Sequence, residues 1–247
     1  MSDPIRLVAG LGNPGPRYQH TRHNAGFLVL DALARRYNLT FRSHKDAEEA
    51  RWDSVWLCKP QTYMNDSGRA VQASVTRHSV APQQLLVVHD DLDMPLGRLR
   101  FKRGGGAGGQ KGVADTANRI GADFVRLKVG IGRPPERWTV SNWVLSRFQD
   151  NEQALLDEVV GVAADAVELI VAAGLQDAMN RYNSTDLRPE AKAAQQAKQD
   201  AKAASQASSA PSESSGAASS RTEASNAERS AEQGVSEPTP SDSLSDE

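Results

Sequence analysis

Along the first 185 residues, short apolar runs alternate with segments in which apolar residues recur at helical spacing. This pattern predicts strands that alternate with helices. Short aliphatic runs at residues 5–9, 52–58, 85–88 and 124–131 are typical of buried strands. Helical spacing of apolar residues predicts helices over residues 24–37, 68–78, 112–120 and 152–173. Because strands that alternate with helices form sheets covered on both faces, we expect one α/β domain.

The last quarter of the chain has a different composition. Residues 189–247 contain no Phe, Trp, Tyr, Ile or Met and are rich in Ala, Ser, Gln and Glu. Such a segment cannot bury enough apolar surface to offset the entropy lost on ordering. We therefore expect a globular domain at residues 1–185 and a disordered, low-complexity acidic tail at residues 186–247.

Charge is also uneven along the chain. The segment from residue 186 onward carries 6 Lys and Arg against 11 Asp and Glu, whereas the whole chain has a net charge of -2, so the preceding part is about +3. A mildly basic domain permits an anionic partner without requiring one. The single cysteine, Cys58, cannot form an internal disulfide. Neither a signal-peptide pattern nor an apolar run of membrane-spanning length is recognised, so we expect a cytoplasmic protein without membrane contact.

Polar side chains follow the ends of the predicted strands. Asn13 and His23 come after the first strand, and Asp90 comes after the third. The loop after the second strand adds Tyr63, Met64 and Asn65. Ends of adjacent parallel strands share one crevice, where a histidine backed by a carboxylate acts as a general base. Since no serine or cysteine lies in a nucleophile-elbow setting, His23 with Asp90 indicates activation of water.

These residues also have structural interpretations. His23 beside Asn24 fits a capping or core histidine, Asp90 fits a turn, and Asn65 fits a helix cap. A metal site is less favoured, because no spacing such as H-E-x-x-H occurs.

A glycine pattern near the N-terminus suggests a different function. Gly10, Gly12 and Gly15, followed by Asp31, match a dinucleotide-binding fingerprint. That site needs a helix starting within the glycine stretch, and here the helical pattern begins only near Asn24. We therefore rank a dinucleotide enzyme below a hydrolase.

Five ordered blocks of sequence resemble bacterial-type peptidyl-tRNA hydrolases. They are G-L-G-N-P-G-x-x-Y with T-R-H-N-A-G-F (residues 10–27), K-P-Q-T-Y-M-N-x-S-G (59–68), V-V-H-D-D-L-D-x-P-x-G (87–97), F-K-R-G-G-G-x-G-G (101–109) and R-L-K-V-G-I-G-R-P (126–134). The resemblance implies a monomer with a twisted, mixed and mostly parallel sheet. It also implies hydrolysis of the ester between a peptide and the 3′ ribose of tRNA, with peptidyl-tRNA as the partner and no metal or cofactor.

The resemblance also assigns roles to individual residues. His23 takes the catalytic position and Asp90 that of its partner. Substrate-binding positions fall on Asn13, Tyr18, Tyr63, Met64, Asn65 and Lys111. Positions that bind tRNA phosphate fall on Arg100, Lys102 and Arg126. An RNA-binding protein of the same fold without turnover is the main alternative.

The chain departs from this family at one place. The family pattern G-H-N-G-L is replaced by Gly109, Gln110, Lys111, Gly112 and Val113. A lysine donates hydrogen bonds but cannot accept them, so Lys111 cannot replace an amide. We expect Lys111 to contact a tRNA phosphate or the 3′ end; the alternative is a side chain that points to solvent from a mobile loop.

Overall fold

A seven-stranded sheet organises residues 3–208, the part of the chain that this computed structural model describes. Its strands are β1 (Leu7–Gly10), β2 (Arg42–Ser43), β3 (Ala47–Trp52), β4 (Val55–Pro60), β5 (Leu85–Asp91), β6 (Leu99–Arg103) and β7 (Val125–Gly130). The order across the sheet is β2-β3-β4-β1-β5-β7-β6. The central pairs β4–β1, β1–β5 and β5–β7 are parallel, and the outer pairs are antiparallel. The predicted mixed sheet is confirmed.

Helices cover both faces of this sheet. They are α1 (Ala25–Arg36), α2 (Ser67–Arg77), α3 (Lys111–Ile120), α4 (Val140–Val144), α5 (Gln153–Ala173), α6 (Leu175–Tyr182) and α7 (Pro189–Ser208). Side chains of β1 alternate between the two cores: Val8 packs in the cluster with α1 and α5, whereas Leu7 and Ala9 pack in the cluster with α2 and α3. Between residues 3 and 208, no helix has both the length and the apolar character needed to cross a bilayer.

Glycines bring β1 and α1 into close contact. A Cβ atom on Gly10 would lie 2.4 Å from the carbonyl oxygen of Gly26, and one on Gly12 would lie 2.7 Å from the Phe27 ring. α1 begins at Ala25, well after the glycine run. The apparent dinucleotide fingerprint is therefore explained by close packing of the glycines against the first turn of α1.

Three elements differ from the sequence prediction. The strand predicted at residues 52–58 is an antiparallel hairpin of β3 and β4, in which Trp52 faces Val55 across the turn. The predicted strand at 85–88 continues to Asp91, so Asp90 lies in a strand and not in a turn. The short helix α4 lies outside the predicted helices, because five residues are too few to show a helical period.

The first residues of the predicted tail contact the sheet, and a helix follows them. Asp186 forms a β-bridge with Arg98, and the backbone N–H of Leu187 donates to Gly97. Just before it, Asn183 bonds both backbone groups of Phe101 in the edge strand β6. α7 then follows, and all of its residues from 189 to 202 are exposed except the half-buried Ala191. Alanine-rich sequence forms a helix without burying a core. Residues 209–247 lie outside those described.

A buried carboxylate joins the hairpin to α2. The side chain of Glu49 is fully buried in β3, where it accepts hydrogen bonds from Ser74, Arg77 and His78. Burial by itself would raise the pKa of Glu49, but the bonds from Ser74 and His78 and the charge of Arg77 outweigh it and hold the pKa below its usual value. A carboxyl whose pKa falls on folding stabilises the folded state above its unfolded-state pKa, and this stabilisation is lost as the pH falls.

We expect Glu49→Gln to lower the free energy of unfolding at pH 7 by about 2–4 kcal/mol, because Ser74, Arg77 and His78 lose a buried anion as their partner. The loss should shrink as the pH falls toward 4. Urea unfolding at both pH values measures it. Asp165→Asn, in an exposed pair with Arg36, is the matched control and should cost less than about 1 kcal/mol. Equal losses of unfolding free energy in the two variants would show that the buried Glu49 contacts stabilise the fold no more than an exposed ion pair does.

Candidate active site

The structure joins His23 and Asp90 by a direct hydrogen bond. His23 lies in a short 3-10 turn ahead of α1, and Asp90 is the next-to-last residue of β5. The distance from Nδ1 of His23 to Oδ2 of Asp90 is 2.9 Å. Because a carboxylate only accepts, Nδ1 carries the proton and Nε2 is left as the proton acceptor. The side chains are 12% and 3% exposed, so the pair is shielded from bulk water.

A second set of hydrogen bonds fixes Asn13. The side chain of Asn24 bonds both backbone groups of Asn13, which closes the proline-containing loop between β1 and α1. Oδ1 of Asn13 in turn accepts from the backbone N–H of Met64 at 2.8 Å. Since the oxygen is occupied, the NH₂ group of Asn13 remains available as a donor. Asn13 is thus held as a donor in the same cleft as His23.

One cleft of about 440 Å³ brings together every catalytic and substrate-binding residue named from the sequence. These are Asn13, Tyr18, His23, Tyr63, Met64, Asn65, Asp90 and Lys111. The rings of Tyr18 and Tyr63 meet edge to face, with centroids 6.4 Å apart. Val140 and Leu145 of the segment around α4 line the cleft with partly exposed apolar side chains. The cleft therefore combines a hydrogen-bonded polar centre with an apolar wall.

Two of the three predicted phosphate-binding residues are exposed, and the third is not. Arg100 and Lys102 lie on the exposed face of β6. Arg126 is only 2% exposed, and its guanidinium donates to the carbonyl oxygens of Gly105 and Gly106. Burial lowers the pKa of Arg126. The prediction for Arg126 is therefore corrected: its donors hold the glycine loop and are not open to a phosphate.

The sequence did not reveal Gln110 as part of the site. Its Nε2 lies 3.0 Å from Oδ1 of Asp90, and its Oε1 accepts from the backbone N–H of Val113 at 2.8 Å. It therefore caps α3 and touches the carboxylate of the pair. The sequence held two signals: the position of Gln110 directly before the predicted helix, and its place in the block where the family pattern G-H-N-G-L has histidine.

Arg22 anchors the residue next to the catalytic histidine. Its fully buried guanidinium makes a two-pronged ion pair with Glu152 and lies 3.7 Å from the ring centroid of Trp143 in α4. Its backbone N–H donates to Ser146. One side chain thus ties the His23 turn to the segment that forms the apolar wall.

The remaining histidines near the site have different surroundings. His20 is exposed, whereas His89 is buried and its Nδ1 lies 2.7 Å from the carbonyl oxygen of Asp90. Burial lowers the pKa of His89, which favours the neutral ring. Within residues 3–208, no group of three or more His, Cys, Asp or Glu side chains is placed to hold a metal ion.

Comparison with known proteins gives one consistent family. The family model described as "Peptidyl-tRNA hydrolase" matches residues 7–191. A protein of that name from Deinococcus deserti is 48% identical over 193 residues, which are 75% of this chain and 88% of the relative. One from Chloroflexus aggregans is 47% identical over 184 residues, 72% of this chain and 98% of the relative. The crystal structure of peptidyl-tRNA hydrolase from Acinetobacter baumannii has a TM-score of 0.71 at 39% identity, and covers 74% of this chain and 97% of that one.

We expect Arg22→Lys to lower the free energy of unfolding by about 2–3 kcal/mol, because an ammonium group cannot make the two-pronged contact with Glu152 or stack on Trp143. Urea unfolding followed by tryptophan fluorescence measures the change. Arg36→Lys, in an exposed pair with Asp165 and Glu168, is the matched control and should change it by less than about 1 kcal/mol. If Arg22→Lys changes the free energy of unfolding as little as the control does, the buried Arg22–Glu152 pair does not hold the segment around α4 in place.

Proposed function

The chain belongs to the peptidyl-tRNA hydrolase family, and from that premise we propose how its cleft carries out the reaction. The enzyme hydrolyses the ester bond between the peptide and the 3′ ribose of peptidyl-tRNA and so releases tRNA for reuse in translation. The observation that carries the proposed mechanism is the His23–Asp90 hydrogen bond in a cleft that also holds the Asn13 amide.

His23 acts as the general base in this mechanism. Its Nε2 takes a proton from a water molecule while the water oxygen attacks the ester carbonyl carbon. Asp90 keeps the proton on Nδ1 and stabilises the positive charge that forms on the ring. When the tetrahedral intermediate collapses, the bond to the ribose 3′ oxygen breaks and the imidazolium returns the proton to that oxygen. No covalent enzyme intermediate is required.

Two amides stabilise the charge that develops on the carbonyl oxygen. The NH₂ group of Asn13 is oriented by the bond from Met64 to its oxygen, so the donor needs no rearrangement during the reaction. Asn65 is exposed on the same cleft and contributes a second donor. A well-placed donor of this kind lowers the barrier by about 3 kcal/mol.

Two different surfaces bind the two halves of the substrate. Tyr18, Tyr63 and Met64 bind the peptide near the ester through their apolar surfaces. Arg100 and Lys102, on the exposed face of β6, bind the phosphates of the tRNA. In this proposal the RNA lies along the sheet edge and the peptide lies in the cleft.

The organisation of the whole chain is also proposed. Residues 1–185 form the catalytic domain, because every proposed site residue lies within them, and residues 186–247 are not needed for turnover. The Chloroflexus aggregans relative is aligned over 98% of its own length by 184 residues, so it lacks most of that extension. We further propose that the enzyme works as a monomer in the cytoplasm, where peptidyl-tRNA is made.

We expect His23→Ala to lower kcat by about 10²–10⁴-fold and Asp90→Asn by a smaller factor, because the first removes the base and the second only its partner. The assay follows release of the acyl group from N-acetyl-aminoacyl-tRNA. His20→Ala, three residues away and exposed, is the matched control and should keep full activity. Absence of release by the wild type would favour an RNA-binding protein without turnover.

Lys111 is proposed to contact the RNA near the 3′ end, where the family pattern has an amide. It is exposed at the mouth of the cleft and begins α3. We expect Lys111→Ala to raise KM for acyl-tRNA by about 10-fold and to leave hydrolysis of a minimal 3′-adenosine ester unchanged, because the ester lacks the phosphates. Lys111→Asn is the control that restores an amide without charge. Equal losses on both substrates would rule out a phosphate contact.

A further inference from the structure

Gln110 has two buried contacts that suggest a role beyond capping a helix. We infer that Gln110 is a positioning residue that holds the Asp90 carboxylate in the orientation in which it accepts from His23, a role that rests on the proposed function and extends it. Nε2 of Gln110 lies 3.0 Å from Oδ1 of Asp90, on the oxygen that His23 does not use. The side chain is buried, so water competes weakly for this bond.

The orientation of the Gln110 amide is decided by its neighbours. The backbone N–H of Val113 can only donate, and the Asp90 carboxylate can only accept. Rotating the amide by half a turn would place its NH₂ group against the Val113 N–H and its oxygen against the carboxylate, and both bonds would be lost. The same NH₂ group also donates to Met64, with Nε2 3.0 Å from the sulfur. The donor toward Asp90 is therefore the NH₂ group.

Two donors on different oxygens leave the carboxylate one favourable orientation. His23 bonds Oδ2 and Gln110 bonds Oδ1, so rotation of the Asp90 carboxylate about its Cβ–Cγ bond would break both. Other charged and titratable groups around it have their own partners: Asp91 pairs with Lys128, and His89 bonds the Asp90 carbonyl oxygen. Lys111 follows Gln110 at the mouth of the cleft.

The hydrogen bond from Gln110 to Asp90 does not depend on the protonation of its donor. The Gln110 amide gains and loses no proton between pH 5 and 9. The same donor is therefore present whether the histidine is neutral or protonated, and the Asp90 orientation does not depend on pH through this contact. The structural role in α3 and the role toward Asp90 use different atoms, so they can be separated by substitution.

Two variants of Gln110 separate those roles. Gln110→Glu keeps an oxygen for the Val113 N–H but places a second carboxyl group beside Asp90. Gln110→Met has a similar length and removes both bonds without adding charge. Each is compared with the wild type for kcat and KM on N-acetyl-aminoacyl-tRNA between pH 5 and 9, and for Tm.

For Gln110→Glu we expect a lower Tm at neutral pH, because two buried carboxyl groups repel each other. We also expect a shift of the acidic limb of the kcat–pH profile to higher pH by about one unit, because the added negative charge favours protonated His23. For Gln110→Met we expect kcat to fall by about 10- to 100-fold with little change in KM, since a hydrogen bond to a charged group is lost.

The matched control is Gln84→Met. Gln84 also accepts a backbone N–H through its side chain, from Ala81, but lies at the opposite end of β5 from Asp90. It should leave kcat and the pH profile unchanged. If Gln110→Met lowers Tm but leaves kcat as in the wild type, or if Gln110→Glu leaves the profile in place, Gln110 is only a cap and the inference is wrong. If the wild type releases no acyl group, the proposed function is rejected and the inference with it.

Discussion

The absence of a side chain at Gly26 sets the geometry on which the site depends. A Cβ atom there would lie 2.3 Å from the Leu11 nitrogen and 2.4 Å from the Val88 carbonyl oxygen, so only glycine lets the start of α1 lie against the ends of both β1 and β5. His23 comes three residues before this contact, and Asp90 comes two residues after Val88. The hydrogen bond between them therefore follows from how closely a helix can approach two parallel strands.

Two buried arginines keep the loops around that contact in place, by different means. Arg22 meets a carboxylate and aromatic rings, and it connects the His23 turn to α4. Arg126 meets backbone carbonyls, and it connects β7 to the glycine loop that ends at Gln110. In each case the guanidinium offers several donors in one plane, which a lysine could not supply. Cleft walls formed by irregular segments are thus held by charged groups inside the protein and not by sheet pairing.

The sequence was sufficient for the parts of the structure that depend on local patterns. Apolar periodicity predicted α1, α5 and the central strands. The positions of Asn13, His23 and Asp90 after the predicted strands then predicted that they share a cleft. The sequence was insufficient for residues whose role depends on what surrounds them in the fold. Arg126 looks like a phosphate ligand until its surroundings are known, and Gln110 looks like a helix cap until Asp90 is placed beside it. The strand β3 was missed because Glu48, Glu49 and Arg51 interrupt its alternation, although Glu49 is buried with partners that only the fold supplies.

The segment after α6 protects the outer strand β6 from pairing with a strand of another molecule. An outer strand with unpaired N–H and C=O groups is a template on which a second chain can add a strand and aggregate. On β6, the Asn183 side chain occupies both backbone groups of Phe101, and Asp186 and Leu187 bond the chain just before the strand. The opposite outer strand, β2, is only two residues long. Both borders of the sheet are thus poor sites for strand addition, which leaves β6 to present its basic side chains instead of its backbone.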